Sequence, residues 1–328
     1  MLNDTYQRSI DYLRISITDR CNLRCVYCMP EQGVQPWAHA DILRYEEIER
    51  VVRAAAMLGL RKIRLTGGEP LVRLGVVELV RTLAHIPGIE AVTMTTNGML
   101  LSRYAAPLAE AGLQRVNVSL DTLRPDRFHA ITRWGNLDTV LAGIEAALAA
   151  GLTPLKINTV VMRGQNDDEV VELARRAIAS GWHLRFIEWM PVGEAAQDQN
   201  WRARLVTAAE IRARIEAALG PLEPVTVVGA GPARTYCLPG TTATLGFISA
   251  VSEHFCGSCN RLRLTADGKL RPCLLSPEEL DLRTPLRQGA SEADIQALLQ
   301  KAVRLKPQGH QLADHAQVAG RAMAQIGG

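Results

Sequence analysis

The residues with the most distinctive chemistry are cysteines, because six of the seven fall into two groups far apart in the chain. The first group has a C-x3-C-x2-C spacing and consists of Cys21, Cys25 and Cys28. The second has a C-x2-C pair followed after thirteen residues by a third cysteine, and consists of Cys256, Cys259 and Cys273. An odd number of cysteines in two tight groups is atypical of a secreted disulfide framework, so the pattern favours metal or redox chemistry.

Three thiolates suit an iron-sulfur cluster at the first group. A 4Fe-4S cluster has four irons, so three closely spaced thiolates leave one iron without a protein ligand and open to react. A structural zinc ion is the alternative, but it needs a fourth ligand, for which His39 is the candidate at the first group. At the second group His254 could complete a zinc site, so both metals stay open there. We interpret Cys237 as an ordinary small buried residue.

The chain between the cysteine groups alternates between short β-rich runs and stretches of helical periodicity. The β-rich runs occupy residues 11–18, 62–66, 90–95, 115–120, 154–161 and 183–189. Helical periodicity occupies residues 45–58, 74–85, 101–111, 138–150 and 167–179. Such alternation predicts a parallel sheet with right-handed crossovers. Six units lie in about the first 190 residues, whereas a complete barrel needs eight, so we predict an α/β fold with a partial (β/α)6 barrel that is open on one side.

The pattern changes after a predicted helix at residues 207–218, at the Gly220-Pro221 pair. Strand-like stretches follow at 224–229, 234–238 and 244–250, then the second cysteine group, a hairpin near Asp267 and a helix at 291–303. We therefore predict two domains. Residues 1–220 form the barrel, and residues 221–328 form a smaller α+β domain that carries the second cysteine group and closes the open side.

Composition excludes several classes of protein. The chain has 328 residues, of which 47% are hydrophobic and 22% charged, and no apolar run is long enough to cross a bilayer. The net charge of +3 is too small for a surface that coats nucleic acid. Neither a P-loop nor a dinucleotide-binding glycine fingerprint is present. The first 15 residues lack the features of a secretion signal, so we expect a cytoplasmic protein without nucleic-acid or membrane partners.

The first cysteine group, placed directly after the first predicted strand, resembles the signature of the radical SAM superfamily. The resemblance implies that Cys21, Cys25 and Cys28 hold a 4Fe-4S cluster whose open iron binds S-adenosylmethionine, which is cleaved to methionine and a 5'-deoxyadenosyl radical. Residues 66–70, TGGEP, resemble the methionine-binding loop of that superfamily, and its Glu69 would add a carboxylate beside the ammonium group. The implied contacts to S-adenosylmethionine are Tyr27, Gly68, Ser119 and Met190.

Residues 256–273, CGSCNRLRLTADGKLRPC, resemble the radical SAM family that cyclises GTP in the first step of molybdenum cofactor biosynthesis. The resemblance implies that the second cysteine group holds a second 4Fe-4S cluster, whose open iron binds the guanine base. The implied GTP contacts are Arg14, Arg64, Thr95, Lys156, Arg261, Leu262 and Arg263. Further phosphate contacts are expected from Lys62 and Arg185.

Physical chemistry supports part of this assignment independently. An arginine or lysine among the apolar residues of a barrel strand is costly unless it is paired or faces a polar cavity. Arg14, Arg64 and Lys156 stand in such strands, and a triphosphate needs cationic donors. The chain ends in Gly327-Gly328, which would ordinarily be a frayed tail. The resemblance instead implies that both glycines reach into the active site and are catalytic.

The resemblance predicts a lyase that converts GTP to (8S)-3',8-cyclo-7,8-dihydroguanosine 5'-triphosphate. The adenosyl radical would remove the 3' hydrogen, and the resulting carbon radical would attack C8 of guanine. The implied partners are GTP, S-adenosylmethionine, an electron donor of unknown identity and the downstream cyclic pyranopterin monophosphate synthase, and the family includes homodimers. Two alternatives stay open, namely a radical SAM peptide-modifying enzyme with an auxiliary cluster and a non-enzymatic module with two zinc sites.

Overall fold

The computed structural model describes residues 2–192, 200–227, 231–310, 312 and 320–327. Within these residues the strands form one twelve-stranded sheet. The strands are β1 (Tyr12–Ser16), β2 (Lys62–Thr66), β3 (Ala91–Thr96), β4 (Arg115–Ser119), β5 (Lys156–Val161), β6 (His183–Glu188), β7 (Glu223–Pro224), β8 (Arg234–Cys237), β9 (Thr244–Ile248), β10 (Arg261–Leu264), β11 (Lys269–Arg271) and β12 (Leu280–Asp281).

Helices connect the parallel strands and pack their apolar faces on the sheet. Helix α5 shows the local signals, since the Asn136 side chain accepts a hydrogen bond from the Thr139 amide and Gly151 follows with φ of 76°. The helices are α1 (Tyr45–Met57), α2 (Val76–Ala84), α3 (Leu101–Glu110), α4 (Pro125–Thr132), α5 (Leu137–Ala149), α6 (Val170–Ser180), α7 (Trp201–Arg204), α8 (Ala208–Leu219), α9 (Arg283–Arg287), α10 (Glu292–Arg304) and α11 (Met323–Ile326).

The order of the strands confirms the predicted partial barrel and shows how it is closed. Strands β1 to β6 lie side by side in chain order and run parallel, as expected for six βα units. Strand β10 pairs parallel with β1, and β9 pairs parallel with β6. The C-terminal strands therefore extend both open edges of the same sheet. Residues 249–260, which connect β9 to β10, span the open side of the barrel.

The main differences from prediction lie in short elements. The strand predicted at residues 224–229 is observed only as Glu223–Pro224, and residues 228–230 lie outside the described part. The prediction also missed α4, a helix of eight residues that starts at a proline and buries Phe128 and Ile131. The domain boundary at residue 220 stays a prediction, although the strands on either side of it share one sheet.

Alternation along the barrel strands separates an outer apolar core from a polar interior. In β1, Leu13 and Ile15 are fully buried in the main core, whereas Arg14 lies between them and lines an interior cavity. Asn117 and Asn158 occupy equivalent interior positions in β4 and β5. The barrel interior is therefore a place where charged and polar side chains can meet a ligand. Among the described helices, none is long and apolar enough to cross a membrane.

Candidate active site

A cavity of about 300 Å³ opens at the carboxyl ends of the barrel strands, where barrel active sites lie. Both cysteine groups contribute to its wall, although they are more than 200 residues apart in sequence. We call residues 21–28 the first cysteine loop and the other group the second cysteine site. The cysteines that line the cavity are Cys21, Cys25, Cys28, Cys256, Cys259 and Cys273.

The cysteine geometry suits clusters. Among the described residues, no three His, Cys, Asp or Glu side chains are arranged to hold a single metal ion. A 4Fe-4S cluster contacts each thiolate through a different iron, so it fits three thiols that are spread around one wall. The two histidines considered for zinc do not change this, because His39 is exposed and His254 packs on the ring of His310. The residues fit a 4Fe-4S cluster at each site.

The first cysteine loop is held by backbone hydrogen bonds. Within the loop, the Cys28 amide donates to the Cys25 carbonyl over 2.9 Å. The Arg24 amide donates to Thr132 at the end of α4 over 3.0 Å, and the neighbouring Val26 amide bonds to the same helix. These bonds hold the loop after β1 against α4. The backbone of the loop thereby sets the positions of the three thiols.

The glycines after β2 permit close contact with the same loop. The Gly68 amide donates to the Thr18 carbonyl over 2.8 Å, and the Glu69 amide donates to the Arg20 carbonyl over 2.9 Å. A Cβ atom on Gly68 would overlap the Arg20 carbonyl, so only glycine fits there. The loop after β2 therefore lies directly beside the backbone that leads into Cys21, and Gly68 lines the cavity.

The Glu69 carboxylate is bound to the loops around the first cysteine group. It is fully buried, and it is not among the residues that line the cavity. It accepts hydrogen bonds from the Thr96 hydroxyl over 2.7 Å and the Asn97 amide over 2.6 Å, so it joins the loops after β2 and β3. Burial raises the pKa of Glu69 to about 7. The described hydrogen bonds of its oxygens hold the scaffold, and the expectation that the carboxylate lies beside a ligand ammonium group stays a prediction.

The residues predicted to contact S-adenosylmethionine lie together along the first cysteine loop side of the cavity. Tyr27 is fixed across the barrel, because its hydroxyl donates to Asp121 over 2.7 Å. Asp121 also accepts from the Val160 amide over 2.8 Å, and burial raises its pKa to about 6. The predicted residues that line the cavity are Tyr27, Gly68, Ser119 and Met190. Their ligand contacts stay predictions.

Most of the predicted GTP residues line the same cavity, namely Arg14, Arg64, Thr95, Arg261 and Arg263. Lys156 instead lines an adjoining pocket of about 240 Å³, and Arg185 lines both spaces. The Leu262 side chain is fully buried in the main core, so only its backbone could meet a ligand. Lys62 pairs with Asp11 over 2.7 Å and lines neither space.

Crowding of buried cations gives the cavity a strong preference for anions. Burial and the neighbouring Arg263 hold the pKa of Arg14 well below its usual range. Burial and Arg261 lower the pKa of Arg263 to about 10, and burial together with Arg185 lowers the pKa of Lys156 to about 7. Because desolvation and mutual repulsion cause all three shifts, a bound polyanion would relieve them.

Sequence reasoning missed two amides of the cavity wall, Asn117 and Asn158. Their side-chain oxygens are buried and have no hydrogen-bond partner among the described residues. Both stand at interior positions of strands whose alternate residues are buried and apolar, and this polar interruption is the signal that could have revealed them. A buried amide without a partner is costly, so both are positioned to bind a ligand.

Two remote cations support the second cysteine site, and the sequence analysis did not anticipate either. The Lys306 ammonium donates to the carbonyls of Arg261 over 2.7 Å and Pro272 over 2.9 Å, and lies 3.6 Å from the Cys259 sulfur. Arg8 donates to the Cys256 carbonyl over 2.7 Å. Although burial raises the pKa of the Cys259 thiol, Arg261 and Lys306 lower it more strongly, to about 6.

The C-terminal residues reach the strand ends of the barrel. Gly327 has φ of 79°, and a Cβ atom there would lie 2.8 Å from Thr66 and 3.0 Å from Ser16. Its carbonyl accepts a hydrogen bond from the Arg263 guanidinium over 2.6 Å. Gly328 lies outside the described residues. The described end of the chain is therefore packed between β1, β2 and a predicted GTP residue.

Comparison with known proteins agrees with this geometry. The Radical SAM superfamily model matches residues 15–177, and the Molybdenum Cofactor Synthesis C model matches residues 182–312. The structure of Streptococcus suis SuiB bound to S-adenosylmethionine superposes with a TM-score of 0.61 at 13% identity, over 97% of this chain and 77% of that one. The fold and the first cysteine loop thus define a radical SAM protein with an additional C-terminal cysteine site.

Full-length relatives narrow the class. The chain is 56% identical to the GTP 3',8-cyclase of Pelotomaculum thermopropionicum over 100% of both chains. It is 54% identical to the GTP 3',8-cyclase of Heliobacterium modesticaldum over 99% of both, and 54% identical to that of Moorella thermoacetica over 100% of both. The chain belongs to the GTP 3',8-cyclase family. Membership of this family favours GTP cyclisation over the peptide-modifying alternative. The likeness to SuiB, at 13% identity, concerns the fold alone and does not support that alternative.

Proposed function

We propose that this chain is a radical S-adenosylmethionine enzyme that converts GTP to 3',8-cyclo-7,8-dihydroguanosine triphosphate at the start of molybdenum cofactor biosynthesis. The observation that carries the proposal is the common cavity, which brings together both cysteine groups and a set of buried arginines. The full-length relatives named GTP 3',8-cyclase support the same reaction.

The first cysteine loop binds and activates S-adenosylmethionine. A 4Fe-4S cluster held by its three thiolates supplies the electron for reductive cleavage of that ligand. Backbone polar groups at Gly68 bind the methionine part, and the close packing of Gly68 against the loop supports this role. Tyr27, Ser119 and Met190 contact the adenosine part, and the Tyr27 bond to Asp121 fixes the ring orientation.

The second cysteine site and the arginines bind GTP. Cys256, Cys259 and Cys273 would hold a second cluster, which would supply a binding site for the guanine base. Guanidinium groups in the cavity bind the triphosphate, and Arg261 and Arg263 project from β10 directly beside the second cysteine site. Lys156 and Arg185 extend the cationic surface into the adjoining pocket. Two ligands bound in one cavity place the ribose 3' hydrogen close to the adenosyl carbon, so the reaction becomes effectively intramolecular.

The interior amides complete the binding surface. The unpartnered side-chain oxygens of Asn117 and Asn158 accept hydrogen bonds from ribose hydroxyl groups of the two ligands. Bound ligands also displace water from the narrow cavity, which protects a carbon radical from quenching. Gly327 packs against Ser16 and against Thr66, which lines the cavity. We propose that Gly327 and Gly328 act there in the radical step.

The reaction also sets the expected partners and setting. It requires a low-potential electron donor, whose identity the chain does not reveal. Its product is the substrate of cyclic pyranopterin monophosphate synthase. We further propose a cytoplasmic location, where GTP is available, and a homodimeric state as in other members of the family.

Anaerobic assay of the purified protein tests the proposed function. The reconstituted protein is incubated with dithionite and S-adenosylmethionine in the presence of each nucleoside triphosphate in turn. Among the nucleoside triphosphates, we expect only GTP to give 5'-deoxyadenosine and a cyclised nucleotide. About two zinc atoms per chain without cluster absorbance would overturn the proposal, and so would radical formation that never yields a cyclised nucleotide.

A further inference from the structure

We propose that Arg321 is a positioning residue that clamps the C-terminal segment, residues 321–327, against the hairpin of the second cysteine site. The clamp would set the position of Gly327 against Ser16 and Thr66, beside the cavity. This inference rests on the proposed function for the role of the terminus. The contact itself stands on the geometry of one arginine and two carboxylates.

The Arg321 guanidinium binds two carboxylates at once. Its two terminal nitrogens each lie 2.9 Å from a different oxygen of Asp267, which is a bidentate contact. The same guanidinium reaches both oxygens of Glu279, over 2.8 Å and 2.7 Å. Only 15% of the Arg321 side chain is exposed, and Asp267 is 7% exposed, so water screens the contacts weakly. A single guanidinium held by four oxygens has one orientation.

Both carboxylates belong to the structure that carries the predicted GTP arginines. Asp267 lies in the turn between β10 and β11, where the Thr265 hydroxyl donates to it over 2.7 Å. Glu279 also pairs with Arg271 in β11, and Arg271 is the ladder partner of Arg263 in β10. The clamp therefore attaches the C-terminal segment to the β10–β11 hairpin rather than to a distant surface.

Beyond Arg321 the segment crosses to the first cysteine loop. Within the single turn of α11, the Ala324 amide donates to the Cys28 sulfur, and the Ile326 side chain is 1% exposed. The Gly327 carbonyl then accepts from Arg263 over 2.6 Å. Terminal residues ordinarily fray. The C-terminal segment thus connects the two cysteine sites, and the Arg321 contacts hold its first residue. Without the Arg321 contacts, we expect Gly327 at the other end of the segment to lose its fixed position.

The test compares Arg321→Gln and Arg321→Lys with a control, Arg53→Gln, whose residue forms an exposed ion pair with Glu49 on α1. For Arg321→Gln we expect unchanged iron content and unchanged binding of GTP and S-adenosylmethionine. We expect faster hydrogen exchange confined to the amides of residues 323–327. The ratio of cyclised nucleotide to 5'-deoxyadenosine should fall roughly 10- to 100-fold, the cost of a misplaced group. The product ratio of Arg321→Lys should lie between those of Arg321→Gln and the wild type. Arg53→Gln should match the wild type in both exchange and product ratio.

Each outcome decides the inference. Unchanged exchange at residues 323–327, or an unchanged product ratio in a wild-type background that cyclises GTP, would overturn it. Loss of iron with faster exchange throughout the chain would show a general structural role and would also overturn it. If the wild type itself cyclises no nucleotide, the proposed function fails, and the exchange measurement still decides whether Arg321 holds the segment.

Discussion

The two cysteine sites face one cavity but are built in opposite ways. The first is a single loop of eight residues, fixed by its own backbone bonds and by its contact with α4. The second joins the β9–β10 connection to Cys273, two residues after β11, and it depends on Arg8 and Lys306 from distant parts of the chain. A local motif suffices for the first site, whereas the second requires the completed sheet.

The electrostatic surroundings differ in the same way. Burial, as the largest cause, raises the pKa of the Cys21 thiol to about 11 and that of Cys28 to about 12. At Cys259 the nearby cations outweigh burial and lower the pKa to about 6. The first site is thus enclosed with weak cationic support, and the second is embedded among cations. The cations around the second site favour an anionic ligand there.

The strongest test separates the sites by removing one ligand from each. Cys25→Ser should abolish cleavage of S-adenosylmethionine and remove about half of the iron, because the first cluster is lost. Cys259→Ser should keep the first cluster and some unproductive cleavage but lose cyclisation. Iron analysis and chromatography of 5'-deoxyadenosine and nucleotide products measure both. Cyclisation by the Cys259 variant would show that the second site has only a structural role.

A substitution at Gly327, in the C-terminal segment that connects the two cysteine sites, is expected to have the next largest effect. In Gly327→Val the new side chain would collide with Thr66 and Ser16 at a positive φ, so the terminus must move. We expect both clusters and GTP binding to persist while cyclisation falls by roughly 100-fold. A tag appended after Gly328 should act in the same direction. Product formation at the wild-type rate by either protein would return the terminus to a passive tail.

Lys306→Met tests the dependence of the second site on long-range support. It leaves the Arg261 and Pro272 carbonyls without their donor, at roughly 1 to 3 kcal/mol for each buried group. We expect reduced iron at the second site, an intact first cluster and a lower free energy of unfolding in urea. The control is Lys301→Met, on the exposed face of α10. Equal iron loss at both sites would contradict the contrast between them.

Arg261→Ala tests the assignment of the anion to the second site. Loss of a hydrogen bond to a charged group should weaken GTP binding by roughly 1.5 to 3 kcal/mol, or about 10- to 150-fold. Binding of S-adenosylmethionine at the first cysteine loop should not change. Equilibrium titrations of each ligand measure this, with Arg53→Ala as the matched control on the exposed surface. Unaltered GTP affinity would remove Arg261 from the triphosphate site.

The smallest expected effect is a pH dependence at Lys156. Burial, followed by the charges of Arg185, Arg115 and Arg64, lowers its pKa to about 7, and His183 is the neighbouring titratable group. A bound triphosphate restores the charged form, so GTP binding takes up a proton. Affinity should fall roughly fivefold between pH 7 and pH 8, in line with the protonated fraction.

The lowered pKa of Lys156 affects the stability of the free protein in the opposite direction. GTP affinity falls as the pH rises, whereas the free energy of unfolding increases. Between about pH 7 and pH 10 the unfolded chain keeps a proton on Lys156 that the folded chain has lost, so this contribution to stability increases with pH. Calorimetric titrations in two buffers of different ionisation enthalpy measure the proton uptake. Lys156→Met should bind GTP with a flatter pH profile, and an unchanged profile would assign the titration to another group.

The sequence allowed prediction of the features that depend on local spacing. The first cysteine loop, the glycines before Glu69 and the inward cations Arg14 and Arg64 could all be recognised, because strand alternation places them on the interior face. The place of the Glu69 carboxylate could not be predicted. It depends on how the loops after β2 and β3 meet, and no short pattern encodes that meeting.

The supports of the second site were out of reach for a related reason. Lys306, Arg8 and Arg321 are single charges whose partners lie far away in sequence. Their contacts join segments that only the complete fold brings together. An isolated charge in a sequence is usually solvated, so nothing in its immediate surroundings distinguished these three from ordinary surface residues.

The order of strands in the sheet has a consequence for synthesis of the chain. During translation β1 and β6 emerge with unpaired edges, and their partners β10 and β9 follow later. The roughly 75 residues from the end of β6 to the end of β10 require about 4 to 15 s at ordinary elongation rates. Both edges are templates for association with other chains until β9 emerges, and the edge of β1 remains one until β10 emerges. A fragment that ends at residue 177, where the first family model ends, also lacks β6. The edges of β1 and β5 would then stay bare permanently, so we expect the fragment to aggregate.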